Sequence, residues 1–355
     1  MNSSQTKLDG IQTLRGIAAV VVAVFHFSVL ERAFYGPDLL MPAFAGYGRA
    51  GVDLFFVISG FIMVLVSGNA TSGVRSAQEF LVKRAIRIYP PYWIVTLMVI
   101  AIWWLSSGQQ FSMLIGKDPN WIASFTLWPQ DRYPVLLVGW TLIHEMYFYL
   151  IFAALLFTPI AWRRGLLMFW ALVVIAAALS HFEPGTAVAK VVLSPLTLEF
   201  ILGGFVALVR PRVSGFFWSA VLLSVIWVVA AAVLLGFVPT HEQFEEAWPR
   251  VMVFGPASAF LVFAFTDPNR VRVWPTSLVA LGDASYALYL LHVPVFVLSR
   301  QLWNNFSVPG IFDNAVALVL MLALSIALSL PFFRRVEQPT QRLVGDAQGL
   351  QHCRL

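Results

Sequence analysis

Apolar runs of about 20 residues recur along this chain, and that recurrence decides what it can fold into. Ten candidate spans lie near residues 13–31, 51–67, 91–107, 136–158, 165–181, 187–209, 215–237, 249–266, 277–299 and 313–333. Several contain Gly60, Pro195, Gly203, Gly204, Pro256 or Pro294, which membrane helices tolerate better than soluble ones. The whole sequence is 59% hydrophobic and only 12% charged, against about 25% charged in a soluble domain. No water-soluble fold of 355 residues has a core large enough to hide that much apolar surface. Thirty Phe and 13 Trp exclude disorder, and one cysteine, Cys353, excludes a disulfide scaffold. The expected fold is all-α, a polytopic transmembrane helical bundle of about ten spans.

Charge gives the orientation. The net +5 is gathered in short clusters between spans, a topology signal rather than a nucleic-acid footprint, so no nucleic-acid partner is expected. With the N-terminus inside, 16 of the 23 Lys and Arg fall on the cytoplasmic side and seven on the other. Both termini are therefore expected in the cytoplasm. Residues 1–345 read as one membrane domain and 346–355 as a short cytoplasmic tail. The polar first dozen residues, with no small-residue cleavage site after the first apolar run, read as an uncleaved anchor.

A charged side chain at the centre of a membrane helix costs about 2.5–3.5 kcal/mol on insertion scales, so such residues are candidates for function. Arg15 and His26 lie eleven residues apart. At ~100° per residue that is about 1100°, within ~20° of three turns, with His26 roughly 16 Å further along the axis. Both side chains share one face of the first helix. They read as a snorkelling arginine with a hydrogen-bonded core histidine, or as a site in which a neutral imidazole serves as general base.

Arg84 and Arg87 are three apart and also share a face. Two guanidinium forks so placed suit phosphate oxygens, although a plain positive-inside anchor has the same pattern. Pro90-Pro91 and Tyr92-Trp93 are expected to mark the point where the chain passes into the membrane, with an interfacial aromatic belt. Glu145 sits inside the fourth span, where a carboxylate needs a partner or a proton. It suits the orientation of an imidazole, the binding of a sugar hydroxyl, or a structural helix–helix hydrogen bond. His144 points about 100° aside and reads as structural. Asp53 suits the N-terminus of the second span, and Ser59 a bond to a helix carbonyl. Glu199 and His292 are similar cases. His181, His241 and His352 belong to loops or the tail. No metal-binding cluster, Walker loop, dinucleotide fingerprint or serine elbow is present in the sequence.

Taken together these strings resemble the acyltransferase-3 family of membrane acyltransferases that modify bacterial surface and exported glycans. They run in family order. Leu14-Arg15-Gly16-Ile17-Ala18-Ala19 with His26 comes first, then Gly51-Val52-Asp53-Leu54-Phe55-Phe56-Val57-Ile58-Ser59-Gly60-Phe61. Arg84 and Arg87 lead into Tyr92-Trp93, followed by Trp140-Thr141-Leu142 with Glu145. Gly282-Asp283-Ala284-Ser285-Tyr286-Ala287-Leu288-Tyr289-Leu290-Leu291-His292 and Val336-Glu337-Gln338-Pro339 complete the series. Many relatives carry Ser where this chain has Thr141, which keeps the hydroxyl. The Ile11-Gln12 opening and the lack of an appended esterase-like domain resemble the stand-alone, exopolysaccharide-modifying branch.

The resemblance implies transfer of an acyl group, usually acetyl from acetyl-CoA, to a carbohydrate hydroxyl, in the bacterial cytoplasmic (inner) membrane. It implies no permanently bound cofactor and no metal. The acyl-CoA donor is a co-substrate, and the acceptor is a polysaccharide or a lipid-linked glycan. The catalytic residues expected on this basis are His26, as base or acyl carrier, with Arg15 and Glu145. Arg84, Arg87, Tyr92 and Trp93 are expected at the donor, and Asp53, Ser59, Trp140 and His292 at the acceptor. The rival reading is a transporter or flippase for a glycan or small acid, which polar residues inside helices also suit.

Overall fold

A computed structural model of the chain describes residues 3–34, 39–67, 71–105, 119–180, 182–210, 213–238, 247–267, 274–308 and 310–347. His181, His241, His352 and Cys353 lie outside the described residues. Those described are helical, with no strand among them. Nine helices are long and apolar enough to cross a membrane among the described residues, or ten if one bent pair counts as a single span. The protein is a multi-pass membrane protein, and the ten apolar runs correspond to these helices one for one.

In chain order the helices are α1 (Ser3–Phe34), α2 (Ala50–Ser67), α3 (Val74–Leu105), α4 (Trp121–Thr126), α5 (Trp140–Leu156), α6 (Ile160–Leu179) and α7 (Ala187–Val192). They continue with α8 (Thr197–Val209), α9 (Phe217–Leu235), α10 (Ala247–Phe265), α11 (Thr276–Asp283), α12 (Ser285–Trp303), α13 (Ile311–Phe332) and α14 (Gln338–Ala347). A 3₁₀ turn at Ala43–Arg49 leads into α2. A single π turn, Phe333–Glu337, joins α13 to α14.

Helix α3 begins at Val74, ahead of the Lys83-Arg84-Arg87 cluster, and continues without a break through Pro90 and Pro91. A long apolar helix keeps enough of its remaining backbone bonds, and finds enough local partners, to absorb two prolines that would break a soluble one.

The helices gather into two compact units, one of residues 1–14, 52–85 and 141–275, the other of 15–51, 86–140 and 276–355. In the first, α10 packs on α8 and α9, and α6 packs on α8. Helices α6 and α9 are barely covered, with 11% of each buried. The crossing of α2 and α8 depends on two glycines. A Cβ on Gly60 would stand 1.8 Å from the Phe200 carbonyl oxygen, and one on Gly203 would stand 1.9 Å from that of Val57. Small residues at such a crossing let two backbones touch where apolar side chains gain nothing over lipid.

In the second unit, α12 packs on α13. Helices α11 and α12 meet at a bend of 73°, and the break falls at Ala284 within the string Gly282-Asp283-Ala284-Ser285. Gly16 of α1 fits against this break: a Cβ there would lie 3.0 Å from Leu278 O and 3.1 Å from Gly282 N. Gly51 fits against the same helix higher up, at 2.7 Å from Ala18 O. Arg15 is thereby seated beside the bent pair, and the first-helix string and the late glycine string prove to be two sides of one contact.

Candidate active site

In the second unit, His26 of α1 meets His292 of α12. The two ring centroids are 4.8 Å apart, and His26 Nδ1 lies 3.0 Å from His292 Nε2. Each ring also reaches back one turn to its own helix: His26 Nδ1 to Val22 O and His292 Nδ1 to Leu288 O, both at 3.0 Å. His292 is fully buried, whereas His26 is partly accessible. Phe25 and Phe296 bound the pair, edge-on to His26 and His292 respectively, and Arg49 lies over the Phe25 ring.

The helix carrying His292 is fastened along one face by residues three apart. The Tyr286 hydroxyl donates to Ile88 O at 2.9 Å and the Tyr289 hydroxyl to Val138 O at 3.1 Å. At helical spacing Tyr286, Tyr289 and His292 span roughly one third of the circumference. The aromatic string thus holds α12 to α3 and to the turn before α5, on the helix that places His292 beside His26.

Arg15, eleven residues before His26 on α1, is buried. Both Arg15 and Arg87 act on the carboxylate of Glu337, which also takes up the backbone amide of Ala287 in the first turn of α12. Glu337 is 2% exposed and closes the π turn after α13, a type of irregularity that frequently marks functional positions. Its carboxylate therefore joins two arginines to the positive end of a helix dipole.

Tyr92 and Trp93, expected at the donor, lie on α3 against α4. Tyr92 Oη donates to Ser124 O, Trp93 Nε1 to Phe125 O and Tyr89 Oη to Thr126 O, all at 2.8 Å. Three consecutive carbonyls at the end of a six-residue helix are satisfied by one aromatic face. An indole has a single donor, so the polar group of Trp93 is engaged there.

The first unit holds a second set of buried polar groups. Asp53, in the first turn of α2, is gripped by Arg250 of α10 through Nε–Oδ1 at 2.8 Å and Nη2–Oδ2 at 3.1 Å. Glu199 of α8 is wholly buried beside them. The glycine crossing brings this about, since Gly60 is two turns from Asp53 and Gly203 one turn from Glu199. Glu145 of α5 accepts from the Tyr149 hydroxyl and, at 3.3 Å, from Ser59 Oγ. Ser59 thus bonds across helices rather than to a carbonyl of its own. Arg84 stands 5.5 Å from the Phe80 ring centroid and 5.7 Å from that of Tyr149. Thr141, near the start of α5, is buried, and Trp140, the last residue of the 86–140 stretch of the second unit, is half-buried. His144 lies 6.3 Å from the Phe56 ring and feels the charge of Arg250.

The structure therefore brings His26 to His292, Arg15 to Arg87, and Ser59 to Glu145. Sequence reasoning missed Arg250, which looked like one more topology charge, and Glu337, which was quoted only as part of a string. It also missed Glu31, fully buried on α1, which accepts the amides of Leu40 and Met41 and the Asn314 side chain. A carboxylate inside an apolar run was the available signal for Glu31. No group of three or more His, Cys, Asp or Glu suited to a metal occurs among the described residues.

The acyltransferase domain model matches residues 8–334, nearly the whole chain. The chain belongs to the acyltransferase-3 family. It is 34% identical to the exopolysaccharide production protein ExoZ of Rhizobium meliloti (strain 1021) over 261 residues, 69% of this chain and 75% of ExoZ. It is 26% identical to the acyltransferase MdmB of Streptomyces mycarofaciens over 375 aligned positions, 96% of this chain and 93% of MdmB. A further likeness, 26% over 285 residues, is to nodulation protein 10 of Rhizobium leguminosarum bv. viciae, covering 70% and 72% of the two chains. No solved structure matches the chain.

Proposed function

We propose that this family member is a membrane O-acyltransferase that moves an acyl group, acetyl from acetyl-CoA in the simplest case, to a hydroxyl of an exported or surface polysaccharide. It would act in the bacterial cytoplasmic membrane. The observation that carries the reading is the partly accessible imidazole of His26, set deep in a membrane helix, backed by a buried second imidazole and sharing a face with Arg15. A nitrogen base so placed takes the proton of an attacking hydroxyl. The acceptor oxygen bonds to the thioester carbonyl carbon while its proton passes to His26. The carbon–sulfur bond then breaks, and His26 returns the proton to the coenzyme A thiolate. Acylation of the same His26 nitrogen before transfer gives the same overall balance.

Arg84 and Arg87, with Arg15, are the proposed donor residues, since acyl-CoA is rich in phosphate and guanidinium forks match phosphate oxygens. The excess of basic residues on the side assigned to the cytoplasm supports donor access from there, with the acceptor approaching from the opposite face. Glu145, which already accepts hydrogen bonds from the Tyr149 and Ser59 hydroxyls, is the proposed polar contact for the acceptor sugar. The printed names of ExoZ and MdmB support an exported-polysaccharide acceptor and acyl transfer respectively.

The deciding experiment is mass spectrometry of exported glycans from cells carrying the wild-type chain, the His26→Ala chain or neither. Acyl increments present with wild type and absent with His26→Ala are expected, at equal protein levels in the membrane. Full acylation by His26→Ala overturns the reading.

A further inference from the structure

The three contacts of the histidine pair fix where its protons sit. His292 Nδ1 lies 3.0 Å from Leu288 O. A carbonyl oxygen only accepts, so this nitrogen carries hydrogen, and the neutral ring is left with a bare Nε2. That bare nitrogen faces His26 Nδ1 at 3.0 Å, and His26 Nδ1 is also 3.0 Å from Val22 O. Both neighbours of His26 Nδ1 accept, so His26 Nδ1 is the donor to both, in a three-centre bond of a common kind. With both rings neutral, no other placement of hydrogens satisfies all three contacts. His26 Nε2 is the ring nitrogen these contacts leave over, and it carries a lone pair.

We propose that His292 is a positioning residue, which holds His26 in its Nδ1–H tautomer so that Nε2 is the atom offered to the acceptor hydroxyl. This rests on His26 being the base. His292 itself is completely enclosed, so it acts through His26 and not on substrate, a different role from the acceptor contact expected of it from sequence. Val22 belongs to the same helix as His26 and restrains the ring only relative to its own backbone. His292 comes from α12, so it also ties the ring to a second helix. When His26 Nε2 takes the hydroxyl proton, the new positive charge is shared through Nδ1–H with the His292 lone pair. A neutral imidazole does here what a carboxylate does behind the histidine of a serine hydrolase.

Two variants separate positioning from bulk packing. Gln at 292 places an acceptor oxygen near the former Nε2, whereas Leu has none. Full-length chain labelled with 15N-histidine, in lipid nanodiscs at neutral to alkaline pH, reports both nitrogens of His26. The expected wild-type spectrum has His26 Nδ1 protonated and Nε2 bare, retained in His292→Gln and replaced by a tautomer mixture in His292→Leu. A wild-type His26 protonated on Nε2, or a tautomer unmoved by His292→Leu, overturns the proposal without touching the acyl-transfer reading. With acetyl-CoA as donor and membranes bearing the native acceptor, His292→Leu should lower kcat by about 10²-fold, the lower end of what a placed base contributes. KM for acetyl-CoA should stay within about twofold and His292→Gln should recover most of the rate. Equal loss in both variants, or a change in KM alone, also overturns it. Should His292→Leu fail to fold, the wild-type and His292→Gln spectra still decide.

Discussion

Arg250 and Asp53, 197 residues apart in sequence, meet through two nitrogen–oxygen contacts of 2.8 and 3.1 Å, and the side chains are 3% and 0% exposed. With the Glu199 carboxyl group buried alongside, removing the guanidinium leaves the Asp53 carboxylate enclosed without a cation. Arg250→Ala should therefore destabilise the protein by about 3–5 kcal/mol, the usual cost of breaking a buried pair from one side. Arg250→Lys keeps the charge but loses the fork and should fall between. Thermal unfolding in detergent, followed by size-exclusion chromatography, checks this. An Arg250→Ala melting temperature equal to wild type would show that the pair does not hold α2 to α10.

The α2–α8 crossing leaves no room for side chains at its closest points. Gly60→Val or Gly203→Val puts carbon within 2 Å of a backbone oxygen, which neither partner can yield without parting the helices. Overpacking typically costs about 1–3 kcal/mol, and contact with backbone on both sides places these at the upper end. The readout is the yield of monodisperse protein from membranes. Gly165→Val, at a glycine with nothing within 4 Å, is the control and should express normally.

Arg84→Ala and Arg87→Ala should act on the donor. Loss of one charge-assisted contact to phosphate, worth about 1.5–3 kcal/mol, corresponds to roughly a ten- to hundredfold rise in KM for acetyl-CoA. Initial rates against acetyl-CoA concentration in washed membranes provide the measurement. A change confined to acceptor KM would remove both residues from the donor site.

Glu31 offers one carboxylate to two backbone amides and one side-chain amide, at 2.6, 2.9 and 2.9 Å. Glu31→Ala strands these donors, at about 1–3 kcal/mol for each left without water. Glu31→Gln retains an acceptor oxygen and should lose about half as much. Melting temperatures that rank wild type, Gln, Ala in that order are expected. An unshifted Ala variant would mean that water takes over the three bonds.

The sequence was most readable where hydropathy alone decides the outcome. Every span followed from composition, because a helix in lipid must be apolar along its whole length and must satisfy its backbone internally. The shared face of Arg15 and His26 followed from helical periodicity within one continuous element. What single-helix arithmetic could not supply was the partner across a helix boundary. His292 lies 266 residues from His26, and a membrane helix that is apolar all round carries no stripe to show which side faces its neighbour. For the same reason Arg250 passed for a topology signal, since an arginine near a span end looks alike whether it meets headgroups or Asp53.

Helices α6 and α9, each with 11% of its length enclosed by protein, have a consequence for any purified preparation. They are 20 and 19 residues long, or about 28–30 Å at 1.5 Å per residue, which matches a hydrocarbon thickness of about 30 Å. In a bilayer the sides of these helices left open by the chain are available to acyl chains. Micelles narrower than that slab would expose turns of both helices to water, so chain length of the surrounding amphiphile becomes an experimental variable on a par with pH or salt.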